Sequence, residues 1–201
     1  MKIVIIKYNA GNVQSVRYAL QRIGIEPILT DDHEEIRHAD KVILPGVGNA
    51  ATAMEYLKAR ELDTVIKTLT QPVLGICLGL QLLCNKSMEG NTKCMGIFDT
   101  TVSLFQNNQP SILQHEHKVP QVGWNTLYDC STQLFKLIED QSYIYNVHSY
   151  YAEICAHTIA KTNYIKTYSA ALQKDNFYAV QFHPEKSGII GERILSNFLA
   201  L

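Results

Sequence analysis

Four short aliphatic runs ahead of residue 77, spaced by stretches of helical periodicity, constrain the fold more than any other feature of the chain. KIVII (2–6) is a continuous β-branched run, the pattern of a strand buried on both faces. It leads through NAGN into a segment with Val13, Val16, Ala19, Leu20 and Ile23 on one helical face, and Gly24 marks a stop. EPIL (26–29) and KVIL (41–44) predict a second and a third strand, the latter ending at Pro45-Gly46-Val47-Gly48. Helical segments are expected at about 50–68, and PVLGI (72–76) supplies a fourth strand. Strands alternating with helices at this spacing imply βαβ units, hence parallel strands covered by helices.

From about residue 97 the texture changes to short β-rich runs. These are TVSLF (101–105), HKVPQV (117–122), SYIYNV (142–147), YYAEI (150–154), IKTYSAAL (165–172) and FYAVQF (177–182). Consecutive strands with short turns are commonly antiparallel, and a helix over 191–199 closes the chain. The expected class is α/β: a doubly wound, mostly parallel central sheet with helices on both faces, plus a smaller antiparallel sheet from the C-terminal half. At 201 residues and 46% hydrophobic, with no repeat or linker, one domain over 1–201 is expected.

Composition excludes several function classes. The formal net charge is −1 and no Lys/Arg block occurs, so a nucleic-acid partner is not expected. The N-terminal MKIVIIKYNAGN offers four apolar residues before Lys7, too few for a signal segment and far below the ~20 that span a bilayer, which points to a cytoplasmic protein without a membrane partner. The cysteines, at 77, 84, 94, 130 and 155, are odd in number with no Cys-x-x-Cys pair, unlike a disulfide framework or a zinc site. His115 and His117 form a His-x-His pair without a third ligand nearby and read as an exposed polar turn, so neither metal nor cofactor is expected.

In open α/β sheets the active crevice lies beyond the carboxyl ends of the strands. VLGICLGLQLL (73–83) sets Cys77 there, between Gly75 and Gly79, on a strand-to-helix turn. That is the arrangement of a nucleophile elbow with Cys in place of Ser, and glycines on both sides let neighbouring backbone approach a sharp turn. Alone, the segment leaves two readings open, a buried structural thiol or a nucleophile. FYAVQFHPEKS adds His183 at a strand end, followed two residues on by Glu185; in extended chain the i and i+2 side chains point the same way, so Glu185 can hold the ring and fix its tautomer. Pro45-Gly46-Val47-Gly48 is a turn whose N–H groups at Val47 and Gly48, with that of Leu78, can face a developing oxyanion, although such a turn by itself is often only a turn. His148 reads as a hydrogen-bonded strand residue, the tyrosines around 143–151 as β propensity and pocket lining, and Cys84, Cys94, Cys130 and Cys155 as structural.

LPGVG, GICLGLQ and FHPEKS, in this order and spacing, resemble the class I (triad) glutamine amidotransferases. NAGNVQSV (9–16), KVPQVGWN (118–125) and NVHSYYAE (146–153) narrow the resemblance, across essentially the whole chain, to the branch that serves imidazole glycerol phosphate synthase of histidine biosynthesis. The resemblance implies hydrolysis of L-glutamine to glutamate and ammonia, with Cys77 as nucleophile, His183 as general base and acid, and Glu185 as the orienter of His183. It implies that Gly46, Gly48 and Gln81 hold the substrate and that Ser149 and Tyr150 lie near its α-amino and carboxylate groups. It further implies a heterodimer with a (β/α)8 cyclase subunit that receives the ammonia, faced by Asn12, Trp124 and Lys186. The sequence departs from the family at Lys7, usually Asp, at Asn9-Ala10-Gly11-Asn12, usually a Gly-Met-Gly-Asn-like run, and at Asn146, usually Phe or Tyr. The alternatives are another hydrolase built on the same elbow, a paralogous glutaminase feeding a different synthase, for example in sugar modification, and a non-catalytic module of the same fold.

Overall fold

A computed structural model describes all residues except 10 and 107–117. Ala10 and the His115/His117 pair therefore lie outside the described residues. The first half alternates β1 (Ile3–Ile6), α1 (Val13–Arg22), β2 (Ile28–Thr30), α2 (His33–Arg37), β3 (Lys41–Leu44), α3 (Ala50–Ala59), α4 (Leu62–Lys67), β4 (Val73–Ile76) and α5 (Leu78–Leu83). The second half runs through β5 (Cys84–Ser87), β6 (Thr92–Lys93), β7 (Phe98–Leu104), β8 (Gln121–Thr126), β9 (Tyr143–His148) and β10 (Tyr150–Ala152). It continues with β11 (Thr158–Asn163), β12 (Thr167–Lys174), β13 (Phe177–Val180), a 3-10 turn at Pro184–Lys186 and α6 (Gly188–Leu199).

Every residue of β1, β3 and β4 is buried, as the unbroken aliphatic runs require of strands covered on both faces. Helix α1 buries Val16, Ala19 and Leu20, the i, i+3, i+4 stripe of its sequence. Helix α3 begins where Asn49 accepts the N–H groups of Ala51 and Thr52, and α2 where Asp32 accepts that of Glu35.

The main sheet has seven strands in the order β11-β12-β13-β4-β3-β1-β2. Strands β2, β1, β3, β4 and β13 are mutually parallel, while β12 and β11 continue antiparallel at one edge. The α/β class holds, and the C-terminal strands divide in a way that runs alone do not reveal. FYAVQF enters the main sheet beside β4, register Val180 to Ile76, and the run before it extends the same sheet. The smaller sheet, β10-β7-β5-β6, is mixed: β5 runs parallel to β7, and the other pairs are antiparallel. Strands β8 and β9 form a separate antiparallel ribbon.

The parallel core brings the ends of β1, β3, β4 and β13 side by side, with β4 between β3 and β13. Whatever follows these four strands meets at one edge. The glycine bracket around residue 77 makes the meeting close. A methyl group at Gly75 would lie 2.9 Å from the backbone of Gly79, and one at Gly79 would collide with the carbonyl of Leu44 at the end of β3. Helix α5 thus starts in backbone-to-backbone contact with two strands. Gly79→Ala is expected to push α5 off β3 and to lower unfolding free energy by about 1–3 kcal/mol, the usual cost of overpacking, read as a lower midpoint in urea.

Candidate active site

Cys77 occupies the one-residue junction between β4 and α5 with φ 53° and ψ −106°, a conformation few non-glycine residues adopt. Its N–H donates to Val180 O at 2.8 Å and its carbonyl accepts from Gln81 N at 3.3 Å, so strand pairing and the first helical turn both fix the corner. The thiol is buried, near Val147 O at 3.9 Å and the Gln181 amide nitrogen at 3.7 Å. The other thiols differ in setting. Burial first of all pushes Cys84 up, and it takes Cys94 to about 11 and Cys130 to about 12, which keeps them protonated as structural residues.

His183 follows β13, and its N–H donates to Tyr145 O at 2.9 Å. Its Nδ1 lies 2.7 Å from Glu185 Oε1, with side chains only 1% and 0% exposed. The carboxylate arrives differently from an i, i+2 alternation along extended chain: after His183 the backbone enters the 3-10 turn at Pro184, which curls Glu185 back under the ring. Facing a carboxylate, Nδ1 keeps its proton in either charge state, so the proton that comes and goes is the one on Nε2. Nε2 has no nitrogen or oxygen partner among the described residues, and the group it interacts with is the Cys77 sulfur. Burial alone disfavours the imidazolium, but the Cys77 sulfur and the Glu185 carboxylate outweigh it and raise His183 to about 10.

Asn12 stands before α1 in the left-handed region at φ 72°. Its Nδ2 donates to Glu185 Oε1 and sits 3.2 Å from His183 Nδ1, the two nitrogens sharing one carboxylate oxygen. Its amide therefore turns inward, onto His183 and Glu185.

The turn after β3 packs against the elbow. Tyr8, buried, donates its hydroxyl to Pro45 O, and burial raises its ionisation far enough that it remains a donor. The Leu78 N–H donates to Gly46 O at 3.2 Å. One of the three expected oxyanion donors is thus occupied by a carbonyl of the very turn that supplies the other two.

A cavity of about 280 Å³ opens beside the sulfur, lined by Val47, Gly48, Cys77, Leu78, Gln81, Ser149 and Tyr150. Gly46 sits behind this wall, against Tyr8 and Leu78. Four lining residues were not expected from sequence: Glu89, Pro120, Val147 and His148. Glu89 is the one acid among them; its Oε2 accepts the Ala50 N–H at 2.6 Å and so caps α3 as well. Nothing in the local pattern MEGN marks it, because its position depends on a contact 39 residues away.

The chain matches the family model "Glutamine amidotransferase class-I" over residues 4–201. The chain belongs to the class I glutamine amidotransferases. It is 55% identical to "Imidazole glycerol phosphate synthase subunit HisH" of Bacteroides fragilis over 201 residues and 45% identical to the protein of that name from Escherichia coli over 203, each alignment covering both chains completely. Solved structures with the same fold include a putative GMP synthase subunit from Thermoplasma acidophilum, TM-score 0.72 at 18% identity over 100% of this chain and 93% of the other. PurLQS from Thermotoga maritima gives TM-score 0.71 at 20% identity over 99% and 97%.

In this amidotransferase the ribbon β8–β9 carries an outward apolar face: Val122 opposes Val147, and Trp124 opposes Tyr145 in an edge-on ring contact with centroids 5.7 Å apart. Trp124 is 57% exposed and Tyr143, farther along the same face, 62%. Tyr145 O holds His183 N, and Tyr145 N donates to Ser187 Oγ, so this face is tied directly to the His183–Glu185 segment. Lys186 is exposed on the turn below it. Of the departures from the family, Lys7 is exposed and Asn146 is fully buried. No helix among the described residues is long and apolar enough to cross a membrane.

His148 donates from Nδ1 to Tyr150 O at 2.8 Å, and its Nε2 meets Tyr168 Oη at 3.1 Å. Burial is the main cause that lowers it to about 3. It is neutral where His183 titrates. Between pH about 6.5 and 3 the unfolded chain binds a proton here that the folded chain does not, so stability falls as the pH drops through that window. His148→Asn, which retains the donor to Tyr150 O, is expected to flatten that part of the slope in urea titrations at stepped pH.

Proposed function

We propose that this chain is the glutaminase subunit of an imidazole glycerol phosphate synthase, hydrolysing L-glutamine through a thioester on Cys77. One observation carries the chemistry: a cysteine on a left-handed elbow, faced by a buried His–Glu pair, at the wall of a cavity of about 280 Å³, a size suited to a small molecule. The full-length identity to subunits of that synthase supports the pathway, histidine biosynthesis, over a paralogous synthase.

His183 Nε2 holds the proton given up by the Cys77 thiol while Sγ, as thiolate, attacks the side-chain amide carbon, and Glu185 stabilises the imidazolium. The tetrahedral intermediate collapses as His183 returns the proton to the departing nitrogen. Ammonia leaves and a thioester remains. Water, deprotonated by the same Nε2, then releases glutamate and restores the thiol. Gln81, Ser149 and Tyr150 border the space for the amino-acid end of the substrate, and the Glu89 carboxylate complements its α-ammonium group.

The oxyanion requires donors, and in the resting arrangement Leu78 N–H is engaged by Gly46 O. Rotating the peptide between Gly46 and Val47 exchanges that carbonyl for the Val47 N–H. The single rotation frees Leu78 and adds a second donor. Removing one such donor costs about 10²–10³ in rate, so control of this peptide suffices to switch the enzyme. The cyclase partner is the natural controller: the exposed face of Val122, Trp124 and Tyr143, with Lys186 beside it, lies against the acid–base pair and suits a protein interface. Cysteines that all remain free fit a cytoplasmic enzyme.

Cys77→Ala is expected to abolish glutamine hydrolysis, measured as glutamate release, while leaving binding to the cyclase subunit unchanged in a pull-down. Retained turnover in that variant contradicts the assignment.

A further inference from the structure

The strand run FYAVQF carries, next to its last residue, a glutamine that the acid–base scheme leaves unused. Gln181 is completely buried, and its N–H continues the strand ladder to Ala170 O at 2.8 Å. Its side chain lies between two functional groups. Nε2 is 3.7 Å from Cys77 Sγ, and Oε1 is 3.2 Å from Gln81 Nε2.

Which end of each amide faces which neighbour is settled by a backbone carbonyl. Gln81 Nε2 sits 3.0 Å from Tyr150 O, and only a donor can face that oxygen. The second N–H of the same nitrogen meets Gln181, which must therefore present Oε1. The Gln181 amino group is left pointing at the sulfur. Tyr150 O also accepts His148 Nδ1 at 2.8 Å, so the anchor of the chain is held by two donors. A thiol is a weak acceptor and a thiolate a strong one. The buried Gln181 N–H is thus better satisfied when Cys77 carries charge, and a buried donor left poorly satisfied is costly.

We infer that Gln181 is a further catalytic residue, donating to the Cys77 sulfur and favouring the thiolate that attacks the substrate, with Gln81 fixing its orientation. The inference rests on Cys77 being the nucleophile. Because Gln81 lines the cavity, the residue beside the substrate is also the one that aims this donor.

The test is the rate of iodoacetamide alkylation at Cys77 in the full chain, followed by mass spectrometry of its peptide, together with kcat and KM for glutamine in the complex with the cyclase subunit. Gln181→Met keeps the length and removes the donor. It is expected to slow alkylation about tenfold at neutral pH, with the gap closing near about pH 10, where thiols ionise unaided, and to lower kcat in proportion with KM within about twofold. Equal alkylation rates and equal kcat in a variant that melts like the wild type overturn it. If Gln181→Met folds poorly, Gln181→Asn, whose amide is retracted by one methylene, carries the same expectation and the same refutation. A wild-type Cys77 inert to iodoacetamide, with full turnover in Cys77→Ala, overturns the nucleophile assignment itself, and this is distinct from equal rates in wild type and variant.

Discussion

The left-handed backbone at Cys77 is the constraint on which the rest of the site depends. A non-glycine residue in such a conformation costs on the order of 1–3 kcal/mol and persists only where its surroundings over-determine it. Here they do: Val180 O holds the N–H of Cys77, Gly46 O that of Leu78, and the backbone of Gly79 lies against Leu44 O with no room for a side chain. The corner follows β4, between β3 and β13, so the sulfur emerges where the turn after one neighbour and the histidine after the other can both reach it. Parallel topology and backbone strain together produce the convergence.

Around that corner two polar groups are set into the apolar core. Asn12, Glu185 and His183 form one bonded group, and Gln181, Gln81, Tyr150 O, His148 and Tyr168 form another, with the sulfur between them. Such networks are rigid because each partner is expensive to strand. Against this fixed background the proposed mechanism gives the Gly46–Val47 peptide two orientations, the observed one, which occupies Leu78 N–H, and a rotated one, which frees it. An enzyme that releases ammonia gains from resting closed. The apolar ribbon is bonded to His183 through Tyr145 O, which gives the partner proposed to dock there a short mechanical route to the site.

Much of this was legible in sequence because it was local. The aliphatic runs gave β1, β3 and β4, and the spacing of LPGVG, GICLGLQ and FHPEKS at strand ends brought out the cysteine, histidine and carboxylate. What stayed hidden depends on contacts far apart in the chain. Strand β5, CNKS, is polar and buries only its two ends, so it carries no strand signal. Glu185 was placed by alternation along extended chain, whereas the turn at Pro184 delivers it. Asn12 turns its amide onto Glu185 across 173 residues, a contact its own segment does not mark. Gln181 looks like a blemish in an apolar strand until Gln81, 100 residues earlier, shows which way its amide points.

The measurement that bears most directly on this account is a crystal structure with the methyl-ketone analogue of glutamine, which adds Cys77 Sγ to its carbonyl as a thiohemiketal and so mimics the tetrahedral intermediate. The expected result is a covalent bond at Cys77, His183 Nε2 within hydrogen-bond distance of the adduct, and Leu78 N–H released from Gly46 O to donate to the new oxyanion. An adduct on another cysteine, or one at Cys77 with Leu78 N–H still bonded to Gly46 O, would contradict it.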